Sequence, residues 1–252
     1  MMLTVKIFTL HLTCLLLGTL AIPANAALLG RAPATPGGTD YRAYYDTVLD
    51  ITWMADADLA ATETFGVPGI SPAGAMSWDT AHQWLGAMNA NHYLGGNQWR
   101  LPKLSPVNQT ALNTNYSDQG DTDVGLNISA PGTLYAGSTA HEMAHLYFNT
   151  LGNPKYPAIF QNSGPFQHVG PGQGNLFKWY RTEYPIPGAP NLFAFAMEWA
   201  DSHTMNRNKT DTLGAWAVHP GDIAAVPLPA TVWLMGSAIT GMMAGARKPK
   251  AD

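Results

Sequence analysis

The sequence predicts an α+β fold, with two or three helices packed on small antiparallel sheets and joined by long loops. Three observations predict it. The chain holds 25 Gly and 19 Pro beside 8 Trp and 10 Tyr, which describes a turn-rich, aromatic-packed fold and not a helical bundle. Short stretches of alternating apolar and polar residues recur at 44–54, 177–183, 192–199 and 214–219, as half-buried strands require. Two further stretches instead repeat their apolar residues every three or four positions.

Taken in order, residues 32–39 form a Pro/Gly stretch without periodicity, and 27–43 as a whole reads as a linker. Residues 44–54 read as a β-hairpin with Asp at its turn. Ser77 is placed to cap a helix. Asp79 suits the helix's N-terminal dipole, and Trp78, Ala81, Leu85 and Met88 mark its buried face. Gly95, Gly96 and Asn97 make a turn, and Trp99, Arg100, Leu101 and Pro102 a short strand ended by proline. A helix is expected to follow from Ser105. Residues 118–132 are polar and irregular. Residues 138–151 read as a second clear helix, stopped by Gly152, Asn153 and Pro154. A glycine-rich loop at 164–174 precedes the last three strands.

The two ends read as addresses, not as fold. Lys6 begins a leader whose apolar run, 7–20, is followed by Pro23, Ala24, Asn25 and Ala26. Small residues at Ala24 and Ala26 fit the pocket of signal peptidase and put cleavage after Ala26. The single cysteine, Cys14, lies in this leader, so the mature chain has neither disulfides nor thiolate ligands. Net charge is −4, and no basic stripe suggests a nucleic-acid partner. At the other end, Val226, Pro227, Leu228, Pro229 and Ala230 precede an apolar run, 231–246, and then Arg247, Lys248 and Lys250. The run is slightly shorter than the ~20 residues of a comfortable membrane helix. Its basic end should stay cytoplasmic.

This C-terminal arrangement closely resembles the VPLPA variant of PEP-CTERM sorting signals. The resemblance implies a substrate of exosortase, a membrane transpeptidase of Gram-negative bacteria. It also implies an inner-membrane intermediate that is released to the envelope, the outer surface or the extracellular matrix. The body from 44 to 225 resembles the DUF1566 group, the Legionella collagen-like C-terminal type. The matching residues are Leu49-Asp50-Ile51-Thr52-Trp53, the Trp78-x-x-Ala81 helix and Gly96-x-x-Trp99-Arg100-Leu101-Pro102. Trp179-x-x-Thr182-Glu183 and the run from Ala215 to Asp222 complete them. The resemblance implies a C-type-lectin-like fold serving as a ligand- or surface-binding scaffold. That fold is shared with formylglycine-generating enzymes, whose chemistry needs cysteines that the mature chain lacks.

Among motifs with chemical content, His141-Glu142-Met143-Ala144-His145 matches H-E-x-x-H. On a helix, His141 and His145 would share one face and could hold Zn²⁺, with Glu142 activating water. A third ligand is needed. The metzincin extension is missing, since Phe148 and Leu151 stand where glycine and histidine belong. That leaves His168, Glu183, Glu198 and Asp201. The competing reading makes Thr139-x-x-Glu142 a capping box on an amphipathic helix that packs Met143, Leu146, Tyr147 and Leu151. The DUF1566 resemblance favours it, because that helix does not need the first histidine. Asp118, Asp121 and Asp123 offer hard oxygen ligands for Ca²⁺ but lack EF-hand spacing. Arg100 could bind a carboxylate or a sugar, or anchor loops through Asp50 or Asp222. Trp179, Trp199, Trp216, Tyr180 and Tyr184 could stack on sugar rings where exposed, though about half must face the core.

The expectation is therefore an exported binding or structural module with no required cofactor, whose partners are its two processing enzymes and a surface or polysaccharide ligand. A secreted zinc metallopeptidase is the alternative.

Overall fold

The structure, a computed structural model, describes residues 27–170 and 178–223. It is α+β, with two sheets and two short helices, and strands dominate. The expected leader, its Ala24/Ala26 cleavage site, the motif from Val226 to Ala230 and the apolar tail lie outside the described residues. Among the described residues, no helix is long and apolar enough to cross a membrane.

The first sheet contains β1 (Leu28–Pro33), β2 (Tyr41–Asp46), β3 (Ile51–Met54) and β9 (Val218–Pro220), all antiparallel and in the order β1-β2-β3-β9. The expected hairpin is β2–β3. Asp46 closes its turn by accepting from the Val48 and Leu49 amides through Oδ1, while Oδ2 accepts from Thr150. The expected linker is a hairpin as well. β1 pairs with β2 from Leu28↔Asp46 to Pro33↔Tyr41, and Asp40 folds back onto the Thr35 amide and hydroxyl at the tip. β1 is an edge strand with a half-solvated surface, so it has no apolar alternation, and Pro33 is tolerated at its end.

The second sheet contains β4 (Tyr116–Ser117), β5 (Val124–Gly125), β6 (Trp179–Pro185), β7 (Phe193–Glu198) and β8 (Thr204–Asn208), in the order β4-β5-β8-β7-β6. Only β4–β5 is parallel. β8 had no sequence signal. Its residues, Thr-Met-Asn-Arg-Asn, are polar because the strand's exposed positions, Asn206 and Asn208, face water.

Helix α1 (Trp78–Ala90) starts as expected, with Ser77 Oγ accepting from the Thr80 amide. It buries Ala81, Trp84, Leu85 and Met88, while Trp78 stays half-exposed. The helix expected from Ser105 does not form. Asn108 Oδ1 takes the Thr110 and Ala111 amides, which leaves a single turn closed by Gln109 N to Pro106 O. The helix expected over 138–151 shrinks to α2 (Glu142–His145), followed by a π-helical turn over Leu146–Thr150. Its first residues are drawn into extended pairing, through the Leu104↔His141 bridge and Glu142 N to Lys103 O, so helical geometry cannot begin at Thr139. The expected strand at Trp99–Pro102 reduces to one bridge, Arg100↔Val218.

The core lies between the sheets and α1, and its centre is Trp216, which is fully buried. Its ring lies 4.9 Å from Trp53 of the first sheet and 5.6 Å from Tyr180 of the second, and it meets Trp199 at 5.2 Å and Phe166 at 5.0 Å. Its Nε1 donates to Met54 O at 2.8 Å. The segment around it is hydrogen-bonded to both sheets. Arg181 N donates to Gly214 O, Gly214 N to Trp179 O, and Met54 N to Ala217 O. Gly214 is required there, because a Cβ would sit 2.9 Å from the Tyr180 ring and 3.3 Å from Trp179 O.

Truncating Trp216→Ala should cost about 3–5 kcal/mol of stability, and Gly214→Ala about 1–3 kcal/mol by overpacking. Both are read by urea denaturation. A Trp216→Ala protein as stable as the parent would contradict this account of the core.

Candidate functional site

Of the sequence candidates, Arg100, Asp123, His141 and Glu142 meet around α2, where Arg100 and Glu142 make a brace. Trp99 is fixed first. Its amide donates to Asn89 Oδ1, the Asn89 amide group returns a bond to Trp99 O, and its indole Nε1 donates to Tyr93 O at 2.9 Å. Arg100 then bonds main chain to main chain with Val218 in both directions. Leu101 and Pro102 are buried, and Pro102 O accepts from the Glu183 amide. This leaves the Arg100 guanidinium pointing at α2, where Nη1 and Nη2 grip the two Glu142 oxygens at 2.8 and 2.7 Å. The Lys103 amide adds a third bond to Glu142 at 2.6 Å. A two-pronged guanidinium–carboxylate pair with an added amide is the strong form of such contacts. The partner of Arg100 is thus Glu142, in place of the expected Asp50 or Asp222. Asp222 pairs instead with Arg31, through two 2.6 Å bonds.

Thr139 and Glu142 form no capping box, since His141 occupies the N-cap position and makes no side-chain cap. His141 is buried, with Nε2 3.6 Å from Asp123 Oδ1. Burial lowers its pKa against the opposing pull of Asp123, so the imidazole is neutral at pH 7. Asp123 is itself fully buried. Burial would raise its pKa, but His141 and the Asn113 and Val107 amides, at 2.7 and 2.8 Å, outweigh that and hold it below the ordinary carboxylate value. His145 Nδ1 lies 3.2 Å from Ser138 O.

The zinc reading loses its parts here. Glu142 has both oxygens committed to Arg100 and Lys103, and so has none left to activate water. Among the described residues, no three His, Cys, Asp or Glu side chains come together as a metal site. The remaining third-ligand candidates are dispersed. His168 pairs with Asp56 at 2.8 Å, and Glu183 faces His82 at 3.9 Å. Glu198 hydrogen-bonds to Asp201. The proposed calcium set is also split, because Asp118 and Asp121 are exposed while Asp123 spends both oxygens on backbone amides. Of the aromatic candidates, Trp199, Trp216 and Tyr180 are fully buried in the core. Trp179 and Tyr184 are half-buried, with Arg207 lying over the Trp179 ring at 4.8 Å.

Sequence reasoning missed a second feature beside the brace. Two loops, 105–110 and 135–140, flank a cleft of about 660 Å³. Ser105 N donates to Ala140 O, Val107 N to Asp123 and Gly137 N to Ser129 O, so each wall is tied to buried groups. Ser105, Thr110, Ser138 and Thr139 supply hydroxyls to the lining, Gln109 an amide and Tyr135 a ring. The sequence signal was only the density of small hydroxyl residues in two loops.

Removing Glu142 leaves Arg100 and the Lys103 amide unpaired, so Glu142→Ala should cost about 2–4 kcal/mol. A Glu142 whose two oxygens are held by Arg100 and the Lys103 amide needs no metal to complete it, so the melting temperature should be indifferent to EDTA and to added zinc. A zinc-dependent melting temperature would restore the metal reading.

Glu198 gives a pH prediction. Burial first, then the hydrogen bond and like charge of Asp201, push it up to about 8 from 4.5. The folded protein therefore holds a proton that the unfolded chain releases above pH 4.5. This contribution is complete below that pH and drains away as pH rises to about 8. Glu198→Gln, which stays neutral, should gain on the parent in melting temperature steadily between pH 5 and pH 8. A gap that stays constant with pH would refute the assignment.

No protein-family model matches the sequence, and no curated protein or solved structure matches it.

Proposed function

We propose that this chain is an exported binding or structural module of C-type-lectin-like, DUF1566-type fold. A leader cut after Ala26 takes it out of the cytoplasm, and the tail from Val226 hands it to an exosortase-type transpeptidase in the inner membrane of a Gram-negative bacterium. It then works at the cell envelope, the outer surface or the extracellular polysaccharide matrix, with a surface or polysaccharide ligand as its partner.

The observation that carries the reading is where the body begins and ends. Leu28, Asp46, Ile51 and Pro220 form one row across the first sheet. β1 runs away from that row and β9 runs back to it, so the chain enters and leaves the sheet at the same end. The two points are three strand spacings apart, about 14 Å. Arg31 and Asp222 clamp this end, joining β1 to the residues just after β9. Such a body can be attached at either terminus to the same membrane face without opening its core. The leader-then-tail order is compatible with that arrangement. The two small sheets, the 13-residue helix α1 and the many long loops fit a C-type-lectin-like scaffold. The dispersal of the His-Glu helix into a structural brace favours a binding role over peptidase chemistry.

Mass spectrometry of protein recovered from producing cells should give an N-terminus at Ala27 and a C-terminus lacking Arg247, Lys248 and Lys250. Replacing Pro227 and Pro229 with alanine should leave the tail in place and the protein in the inner membrane. Termini at Met1 and Asp252 in material from the envelope would overturn the proposal.

A further inference from the structure

We infer that the cleft between loops 105–110 and 135–140 binds a short segment of neutral, polyhydroxylated glycan. This rests on the reading of the chain as a surface-binding module and names what it binds and where.

The volume, about 660 Å³, falls within the range of roughly 300–1,000 Å³ typical of small-molecule sites. The walls are held in shape before any ligand arrives. Leu104 bridges His141, Ser105 N bonds Ala140 O, and the Val107 amide is held by buried Asp123. On the far side, Gly137 N bonds Ser129 O and Ser138 O meets His145. Fixed walls reduce the ordering cost of binding. The Asp123, His141 and Glu142 cluster thus acts behind the cleft, as its frame.

The lining chemistry selects the ligand class. Among the described residues, no Asp, Glu, Lys, Arg or His lines the cleft. A phosphate, uronate or ammonium group would lose water there without gaining a counter-charge, which is costly. A purely apolar ligand is disfavoured for the opposite reason. Ser105, Gln109 and Thr139 are exposed, and covering their polar ends with hydrocarbon would strand them. What remains is a neutral molecule dense in donors and acceptors. Tyr135 refines this further. It packs against the core while lining the cleft, and so offers a braced aromatic ring against which the C–H face of a pyranose can lie. Pro106 and Val107 supply an apolar counterpart on the opposite wall.

The test is calorimetric titration of the full chain in detergent with cellotetraose, maltotetraose, isomaltotetraose and N,N′,N″-triacetylchitotriose. Trigalacturonate serves as the charged control. At least one neutral sugar should bind, with trigalacturonate about tenfold weaker or worse. Tyr135→Ala should weaken that binding about tenfold. Gln109→Ala should weaken it about threefold, at an exposed position where folding is not at stake. Thermal melts of both variants establish that the fold is kept. If Tyr135→Ala melts early, Gln109→Ala and Thr139→Val decide the question alone. No binding of any neutral sugar, equal binding of trigalacturonate, or binding untouched by Gln109→Ala and Thr139→Val would overturn the inference. Export and tail removal are read from the termini of the recovered protein, so a glycan failure with correct processing sinks this inference and spares the functional proposal.

Discussion

Both sheets of this protein meet on one side chain. Trp216 lies against Trp53 from the first sheet and Tyr180 from the second, with Trp199 and Phe166 completing its surroundings. The sheets are small, and several strands are only two or three residues long, so neither could stand as an isolated layer. The described residues contain no cysteine to staple them. A buried aromatic cluster is the remaining means of joining two short sheets, because each large ring removes far more apolar surface from water than an aliphatic side chain does. The close approach at Gly214 and the hydrogen bonds from residues 214–218 to both sheets follow from placing that indole at the centre. Its own Nε1 is satisfied by Met54 O, while the Nε1 groups of Trp53 and Trp199 beside it are buried without a hydrogen-bond partner among the described residues.

The second level of organisation is electrostatic, and it is sparse. Only 12% of the residues are charged, and several of these act at distance in sequence. Arg31 and Asp222 join the ends of the first sheet, while Arg100 and Glu142 join the Trp-Arg-Leu-Pro segment to α2. Lys178 holds Asp58 and the His168 carbonyl. Arg181 is buried and bonds to the carbonyls of Met76, Lys209 and Asp211, and burial lowers its pKa only to about 10, so it remains a cation. Each of these groups crosses from one element to another, as is needed where loops outnumber regular structure.

What the sequence disclosed follows the same division. The β2–β3 hairpin, α1 with its Ser77 cap, and β6 and β7 were legible because local periodicity and local capping decide them. The hairpin hidden in 27–43 was not, because an edge strand with one half-solvated face leaves no alternation to read. α2 was overestimated at its start, because the 3–4 spacing of Met143, Leu146 and Tyr147 marks the α and π turns of 142–150 and carries no sign that the backbone is still extended at His141. The pairing of residues 103–105 with 140–142 overrides propensity there. At the site, H-E-x-x-H was visible as a pattern, but its meaning depended on Arg100, forty-two positions away from Glu142. No local signal reports that pairing. The cleft was least legible of all, since its walls are loops whose shape is set by Asp123 and His141 behind them.

The brace and the cleft are therefore one construction. Glu142 and His141 are adjacent in sequence and face opposite tasks. Glu142 is turned toward Arg100 and the first sheet, and His141 toward Asp123 and the loop that carries Val107 and Asn113. A helix beginning at Thr139 would leave both side chains on the helix's own surface. Delaying the helix to Glu142 lets the extended backbone at His141 send them to different partners, and it leaves residues 135–140 outside the helix to form a wall of the cleft. The features that look like a metalloenzyme motif in one dimension thus become, in three, the frame of an uncharged recess. Its walls are fixed by buried charges that never reach its surface.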